Sequence, residues 1–178
     1  MEAMRPAVWT VRRLSSATPS QVGELADVLI DCVEGGASVS FMLPLTRERA
    51  VQFWQKVAAE AAAGERILIV AEDAGGICGT VQLILSLPEN QPHRAEVAKM
   101  LVHRRMRRQG VGAARMRAAE EEARASGRTL LVLDTVTDGD GARLYEKLGW
   151  VRVGEVPRFA LFPRGGFCGT TFYYRDLA

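Results

Sequence analysis

Histidine and cysteine, the side chains that hold transition metals and run thiol chemistry, are scarce: two histidines, His93 and His103, and three cysteines, Cys32, Cys78 and Cys168, in 178 residues. There is no C-x-x-C pair and no H-E-x-x-H arrangement, so neither a zinc site nor a dithiol redox centre is supported and no metal is expected. The scattered, odd-numbered thiols fit a reducing compartment. Long apolar runs are missing too. None reaches the length of a membrane span, and none follows Met1-Glu2-Ala3-Met4-Arg5-Pro6 as a signal peptide would require. A cytoplasmic location with no membrane partner is the expectation. Charge of one sign is also lacking, since 23 Lys and Arg stand against 21 Asp and Glu for a net +2, too balanced for nucleic-acid binding by bulk charge.

What is present is the makeup of an ordinary folded domain, 48% apolar and 25% charged, at a length that suits one core better than two. We therefore expect a single domain over residues 1–178. Residues 8–14 alternate like an edge strand, and Thr18-Pro19-Ser20 starts a helix that runs to about Val33 and is stopped by Gly35-Gly36. Thr46 caps a second helix carrying Val51, Phe53, Trp54 and Val57 and ending at Gly64. Strands over residues 67–72 and 77–87 are joined by the tight hairpin Asp73-Ala74-Gly75-Gly76, and a loop at 88–92 leads to a strand over 94–102. Residues 110–126 read as a helix with Gly112, Met116, Ala119 and Ala123 on one side. Thr129-Leu130-Leu131-Val132-Leu133 is continuous enough for a central strand covered on both faces. Asp138-Gly139-Asp140-Gly141 then breaks the chain before a short helix in which Leu144, Tyr145 and Leu148 share a face and Gly149 is the stop. Strands over 150–155 and 170–174, around a Pro- and Gly-containing loop, complete the order β-α-α-β-β-β-α-β-α-β-β.

One loop carries chemistry. Arg107, Arg108, Gln109, Gly110, Val111, Gly112 and Ala113 follow a strand and open a helix. First-turn amides have no intrahelical acceptors, the helix dipole adds partial positive charge, and glycine lets N–H groups approach an anion closely. Arg104, Arg105, Arg107 and Arg108 add mobile cations at the same point, so a diphosphate would suit it. A P-loop is excluded because no Lys followed by Ser or Thr comes after Gly112. A dinucleotide fingerprint is excluded because the third glycine is missing and a hairpin precedes the motif. The arginine cluster also lacks the interleaved aromatics of a nucleic-acid surface, and no nucleic-acid partner is expected.

What remains resembles motif A of the GCN5-related N-acetyltransferase (GNAT) superfamily, [QR]-x-x-G-x-[GA], matched by Arg107, Gly110 and Gly112. Downstream, Ala142-Arg143-Leu144-Tyr145-Glu146-Lys147-Leu148-Gly149-Trp150 looks like that family's A-x-x-[LF]-Y-x-x-x-G-[FWY] motif, one strand away. The resemblance implies an α/β (α+β) fold in which about four helices flank a mixed sheet of about six to seven strands. It also implies acetyl-CoA as co-substrate, with the diphosphate on the Arg107 to Ala113 loop. Backbone groups of Met100, Leu101 and Val102 would hold the pantetheine, with Ala142 and Tyr145 completing the cofactor-binding set. Tyr145 would meet the departing sulfur. Asp134, at the end of the central strand, would act as general base with Glu96 as partner, directly or through water. From the residues alone, Glu96 could equally pair with an arginine and Asp134 cap the following turn.

Gly35-Gly36-Ala37-Ser38-Val39-Ser40-Phe41-Met42, Arg94-Ala95-Glu96-Val97 with Lys99, Leu133-Asp134-Thr135 and Val151-Arg152-Val153-Gly154-Glu155 with Pro157 are similar to the tabtoxin-resistance branch of the family. That branch implies a small amino-acid-like amine as acceptor and a detoxification or antibiotic-resistance role. Peptide or protein amines, or acyl-CoA sensing without catalysis, are the alternatives. A monomer or homodimer is expected.

Overall fold

Thr18 opens the first helix as its sequence predicts. Its Oγ1 accepts from the Gln21 amide at 3.2 Å while the Gln21 side chain accepts from the Thr18 amide at 2.9 Å, a reciprocal cap ahead of Pro19. The computed structural model describes residues 9–178, so Val8 and residues 1–6, assigned above to the first strand and to the leader reading, lie outside the described residues. In chain order the elements are β1 (Thr10–Arg13), α1 (Pro19–Glu34), α2 (Arg47–Ala62), β2 (Arg66–Asp73), β3 (Gly76–Ile84), β4 (Arg94–Val102), a single 3-10 turn (Arg104–Met106), α3 (Val111–Ala125), β5 (Leu130–Val136), α4 (Asp140–Lys147), β6 (Val151–Leu161) and β7 (Phe167–Asp176). Apart from the 3-10 turn, this is the expected order.

The seven strands form one sheet in the order β1-β2-β3-β4-β5-β7-β6. All neighbours are antiparallel except β4 and β5, which are parallel. Alternation along β2 sorts side chains to two layers. Leu68 and Val70 join Leu25, Leu29 and Trp54 beneath α1 and α2, whereas Ile67 and Ile69 join Met116, Ala119, Leu131 and Tyr145 beneath α3 and α4. The resulting fold is one mixed-sheet domain of the expected class.

Three expectations change. Strand β3 ends at Ile84, because the Leu85 and Ser86 amides both turn to the Glu65 carbonyl and leave the ladder before Leu87. Strand β5 is not covered on both faces: Leu131 and Leu133 are buried, but Leu130 and Val132 are partly exposed and Asp134 is exposed. The cause is reach, since α1 and α2 pack on β2, β3 and β4 and stop short of β5. The doubly covered strands are β2 and β3. Finally, β6 continues past Glu155 through Pro157 to Leu161, because the ladder with β7 is interrupted between Val156 and Ala160 at a bulge that absorbs the proline and Arg158, whose φ is 53°.

Candidate active site

The loop between β4 and α3 is held from below by two arginines that the sequence presents as mobile. The Arg104 amide donates to Asp31 Oδ2 at 2.9 Å and its Nε to Oδ1, tying the loop to α1. Arg105 donates Nε and Nη2 to the Asp73 carboxylate, each at 3.1 Å, and Nη2 to the Ile77 carbonyl at 3.1 Å. The Asp73 carboxyl is held below its usual range chiefly by that hydrogen bond from Arg105. Arg104 and Arg105 are thus structural, because buried or turn-forming carboxylates lie within their reach. Arg107 and Arg108 remain at the mouth, with Arg107 Nε 3.5 Å from the Val102 carbonyl.

Gly110 caps α3 with φ 76° and no side chain, so no side-chain oxygen covers the first-turn amides of Val111, Gly112 and Ala113. An anion placed there would meet unpaired N–H groups and the positive end of a helix of 15 residues. Gly112 is needed for proximity: a Cβ there would stand 3.1 Å from Leu144 Cδ2 and 3.7 Å from Met100 Cε. The start of α3, the α4 helix and β4 therefore converge.

Behind this cradle the sheet opens. Parallel pairing of β4 with β5 covers only Arg94–Leu130, Ala95–Leu131 and Glu96–Val132, and beyond it neither strand is the other's partner. A bulge shapes the free part of β4: its register with β3 moves from Gln82–Ala98 to Thr80–Leu101, one residue extra on β4, with Lys99 at φ 50°. Arg115 of α3 packs against the bulge from the β3 side. It is fully buried, donates Nη1 to the carbonyls of Thr80 and Leu101 and Nε to the Val111 carbonyl, and leaves Nη2 without a partner. Burial pulls its guanidinium down to about 10. The Leu101 carbonyl is thus taken up by Arg115. Arg115 escaped the sequence reading because a charged residue on a helix is ordinarily solvent-facing.

On the uncovered face of β5 lies a pocket of about 340 Å³ lined by Ser40, Phe41, Met42, Asp134, Phe159 and Thr170, among others. Thus residues 35–42 and the β6–β7 hairpin both contribute walls. Two larger hollows, of about 810 and 650 Å³, are broad and solvent-open and do not include Asp134. Thr170 Oγ1 lies 2.7 Å from Asp134 Oδ2 and 3.0 Å from the Thr135 carbonyl, donating between them. Asp134 is therefore oriented from β7 instead of capping the next turn. Glu96 shares this face, since it pairs in register with Val132, two residues before Asp134. It accepts from Arg94 Nη1 at 3.1 Å, the arginine pairing left open above, and is half-exposed. Lys99, not singled out as a site residue, donates Nζ to Ser40 Oγ at 3.0 Å. Thr170 and Arg115 were likewise absent from the expected site.

Tyr145 approaches from the opposite face. It is buried with Ala142 against Trp150 and Tyr173, ring centroids 5.8 and 6.0 Å away. Gly141 lets α4 sit on β5 where a Cβ would meet Thr135 Oγ1 at 2.8 Å and the Tyr145 ring at 3.4 Å. Burial pushes the Tyr145 phenol up to about 12, partly offset by Arg115 and reinforced by Asp134. Among the described residues no helix is long and apolar enough to cross a membrane, and no three His, Cys, Asp or Glu side chains form a metal-holding group.

The sequence profile of the Acetyltransferase (GNAT) family matches residues 37–150. An uncharacterized N-acetyltransferase from the hisH-hisA intergenic region of Azospirillum brasilense is 33% identical over 127 residues, covering 70% of this chain and 74% of its own. Among solved structures, ribosomal-protein-alanine N-acetyltransferase of Brucella melitensis superposes with a TM-score of 0.79 at 20% identity, over 94% of this chain and 99% of that one. A GCN5-related N-acetyltransferase of Kribbella flavida gives 0.77 at 23%, over 97% and 100%. The yncA protein of Salmonella typhimurium, solved with its cofactor acetyl-CoA, gives 0.77 at 17%, over 96% and 95%. At these identities the solved structures speak to the fold alone.

Proposed function

The chain belongs to the acetyltransferase (GNAT) family, and from that premise we propose that it moves acetyl from acetyl-CoA directly to the primary amine of a small molecule. One observation carries the reading: the splay of β4 from β5 opens on one side toward the uncapped amides of α3 and on the other toward the Asp134 pocket.

Acetyl-CoA fits the residues present. The amides of Val111, Gly112 and Ala113, with Arg107, Arg108 and the loop around Gln109, would hold its diphosphate. The unpaired edge at Met100, Leu101 and Val102 would hold the pantetheine, and an N–H of that edge would donate to the thioester oxygen, a kind of contact worth roughly 3 kcal/mol in other enzymes. Bound there, the thioester supplies an electrophilic carbonyl carbon and a thiolate leaving group.

The chain's own residues then meet an ammonium nitrogen that must lose two protons, one before attack and one after it. An alkylammonium of pKa ~10 cannot attack until it loses a proton. Asp134, fixed by Thr170 and lining the pocket, is the base we assign, with Glu96 able to relay through water from the same face. Attack of the amine nitrogen forms the C–N bond, the nitrogen then gives up its second surplus proton to water in the pocket, the C–S bond breaks, and Tyr145 donates a hydrogen bond to the departing thiolate, which takes its proton from solvent on release. Full transfer of the phenolic proton is disfavoured, since a phenol at about 12 facing a thiolate near ~8.5 is uphill by roughly 5 kcal/mol. A covalent cysteine intermediate is also disfavoured. All three thiols are buried, and burial raises Cys32 and Cys78.

The tabtoxin-resistance resemblance extends the proposal to an amino-acid-like acceptor and a detoxification or resistance role. The test is release of free CoA thiol with acetyl-CoA and a panel of amino acids, dipeptides and amine antibiotics. Turnover with small amines is expected. Cofactor binding without thiol release from any amine would leave the sensor reading, and turnover confined to peptides would replace the small-molecule acceptor.

A further inference from the structure

Two non-glycine residues in left-handed backbone meet behind the pocket wall: Ser40, which lines it, at φ 78° and Lys99 at φ 50°, joined by the bond from Lys99 Nζ to Ser40 Oγ. Such backbone is costly for a residue with a side chain and concentrates at functional sites. Lys99 is also partly buried, its ammonium 5.9 Å from the centre of the Phe53 ring. Among the described residues no carboxylate forms an ion pair with it. A buried cation without a counter-ion is expensive, and a paired one much less so. Burial accordingly pulls the Lys99 ammonium below its ordinary range, and Asp134 is the carboxylate whose charge works the other way. Ser40 and Asp134 line the same pocket, whose volume is at the small end for ligand sites, and Phe41, Met42, Phe159 and Leu161 supply an apolar remainder.

We propose that Ser40 and Lys99 form a carboxylate-recognition pair, so that the acceptor is a small amino acid or close analogue with its amine at Asp134 and its carboxylate at Ser40–Lys99. The Lys99 ammonium polarises the Ser40 hydroxyl, which donates into the pocket, and supplies the countercharge. The proposal rests on the acetyltransferase reading and narrows its acceptor.

The experiment pairs amino acids with their carboxamides, such as methionine with methioninamide and phenylalanine with phenylalaninamide, in the thiol-release assay. An amide's amine is the weaker base and less protonated at neutral pH, so intrinsic reactivity favours the amide, and a preference for the acid reports recognition. The wild-type enzyme should prefer acids in kcat/KM by roughly 10- to 100-fold, the scale of a charged hydrogen bond. Lys99→Met should erase that preference while leaving the amide rate within about threefold, whereas Lys99→Arg, which keeps the cation, should retain part of it. Thermal midpoints of both variants check folding, and loss of a buried charge should not lower that of Lys99→Met. Equal rates for acids and amides in the wild type would overturn the proposal while leaving the acetyltransferase intact. So would an equal fall for both in Lys99→Met, the pattern of a general base. No release with any amine would remove the acetyltransferase reading and this inference with it.

Discussion

Tyr145 is held in one protonation state by where it sits. With burial placing its phenol at about 12 and the Asp134 charge adding to that, it remains a hydrogen-bond donor throughout the working range. On the proposed mechanism, Tyr145→Phe removes one donor to a developing thiolate, a loss of about 1.5–3 kcal/mol for a charged acceptor. We expect kcat to fall roughly 10- to 100-fold with the KM for acetyl-CoA within about threefold, measured by steady-state thiol release. Unchanged kcat would take Tyr145 out of the mechanism. The pH dependence of stability has a definite sign. The unfolded phenol ionises near ~10 while the native one holds its proton to about 12, so the stability tied to burying a neutral phenol is complete below pH ~10 and declines between those values. Tyr145, Asp134 and the glycine loop were legible in the sequence because each stands in a local pattern. Thr170 and Lys99 were not, because their places depend on β7 lying beside β5 and on β4 meeting residue 40, contacts between parts of the chain 36 and 59 residues apart.

At the scale of elements, β4 is the strand around which the site is arranged, and its shape is imposed from outside. Local signals gave its limits correctly, since a register of apolar residues ends at a basic loop. The bulge leaves no such mark, because it lies where Arg115 reaches the carbonyls of Thr80 and Leu101, and neither does the divergence from β5, which begins after Glu96. Gly79 makes room for that arginine: a Cβ there would lie 2.7 Å from Arg115 Nη1 and 3.1 Å from the Leu101 carbonyl oxygen. Gly79→Ala should therefore cost roughly 1–3 kcal/mol in urea unfolding, the range for overpacking a tight interior. Much of the strain is against one side chain, so the penalty should shrink when Gly79→Ala is made in an Arg115→Ala background, giving a coupling of about 0.5–3 kcal/mol in the double-mutant cycle. Strict additivity would mean that Arg115 does not set the room at Gly79. The ends of β3 and β6 misled the sequence reading for a related reason. Apolar Leu85 and Leu87 extend a strand-like pattern after the ladder has ended, and Pro157 suggests a loop where an edge strand simply bulges.

For the whole molecule, the two faces of the sheet are unequally covered, and the proposed function rests on that asymmetry. Helices α1 and α2 leave β5 bare, so the Asp134 pocket opens on one face while Tyr145, α3 and α4 close the other. The halves of the sheet share only three register pairs between β4 and β5. Acetyl-CoA seated across the splay would touch β4 and the α3 loop on one side and α4 on the other, adding contacts the folded chain does not supply for itself. Binding to the native state alone stabilises by mass action, about 2.7 kcal/mol at a ligand concentration of 100 times Kd. For a chain of this size that raises the thermal midpoint by roughly 5–11 °C. In Arg107→Ala/Arg108→Ala, a tenfold weaker affinity would leave about 1.4 kcal/mol at the same concentration, and the rise should fall to roughly half. Tyr145→Phe should keep the full rise, because its contact matures only as the thiolate departs. Differential scanning fluorimetry across acetyl-CoA concentrations reads all three proteins. A midpoint that does not move in the wild type would refute the cradle at Gly110, and an unreduced rise in the double variant would place the diphosphate away from Arg107 and Arg108.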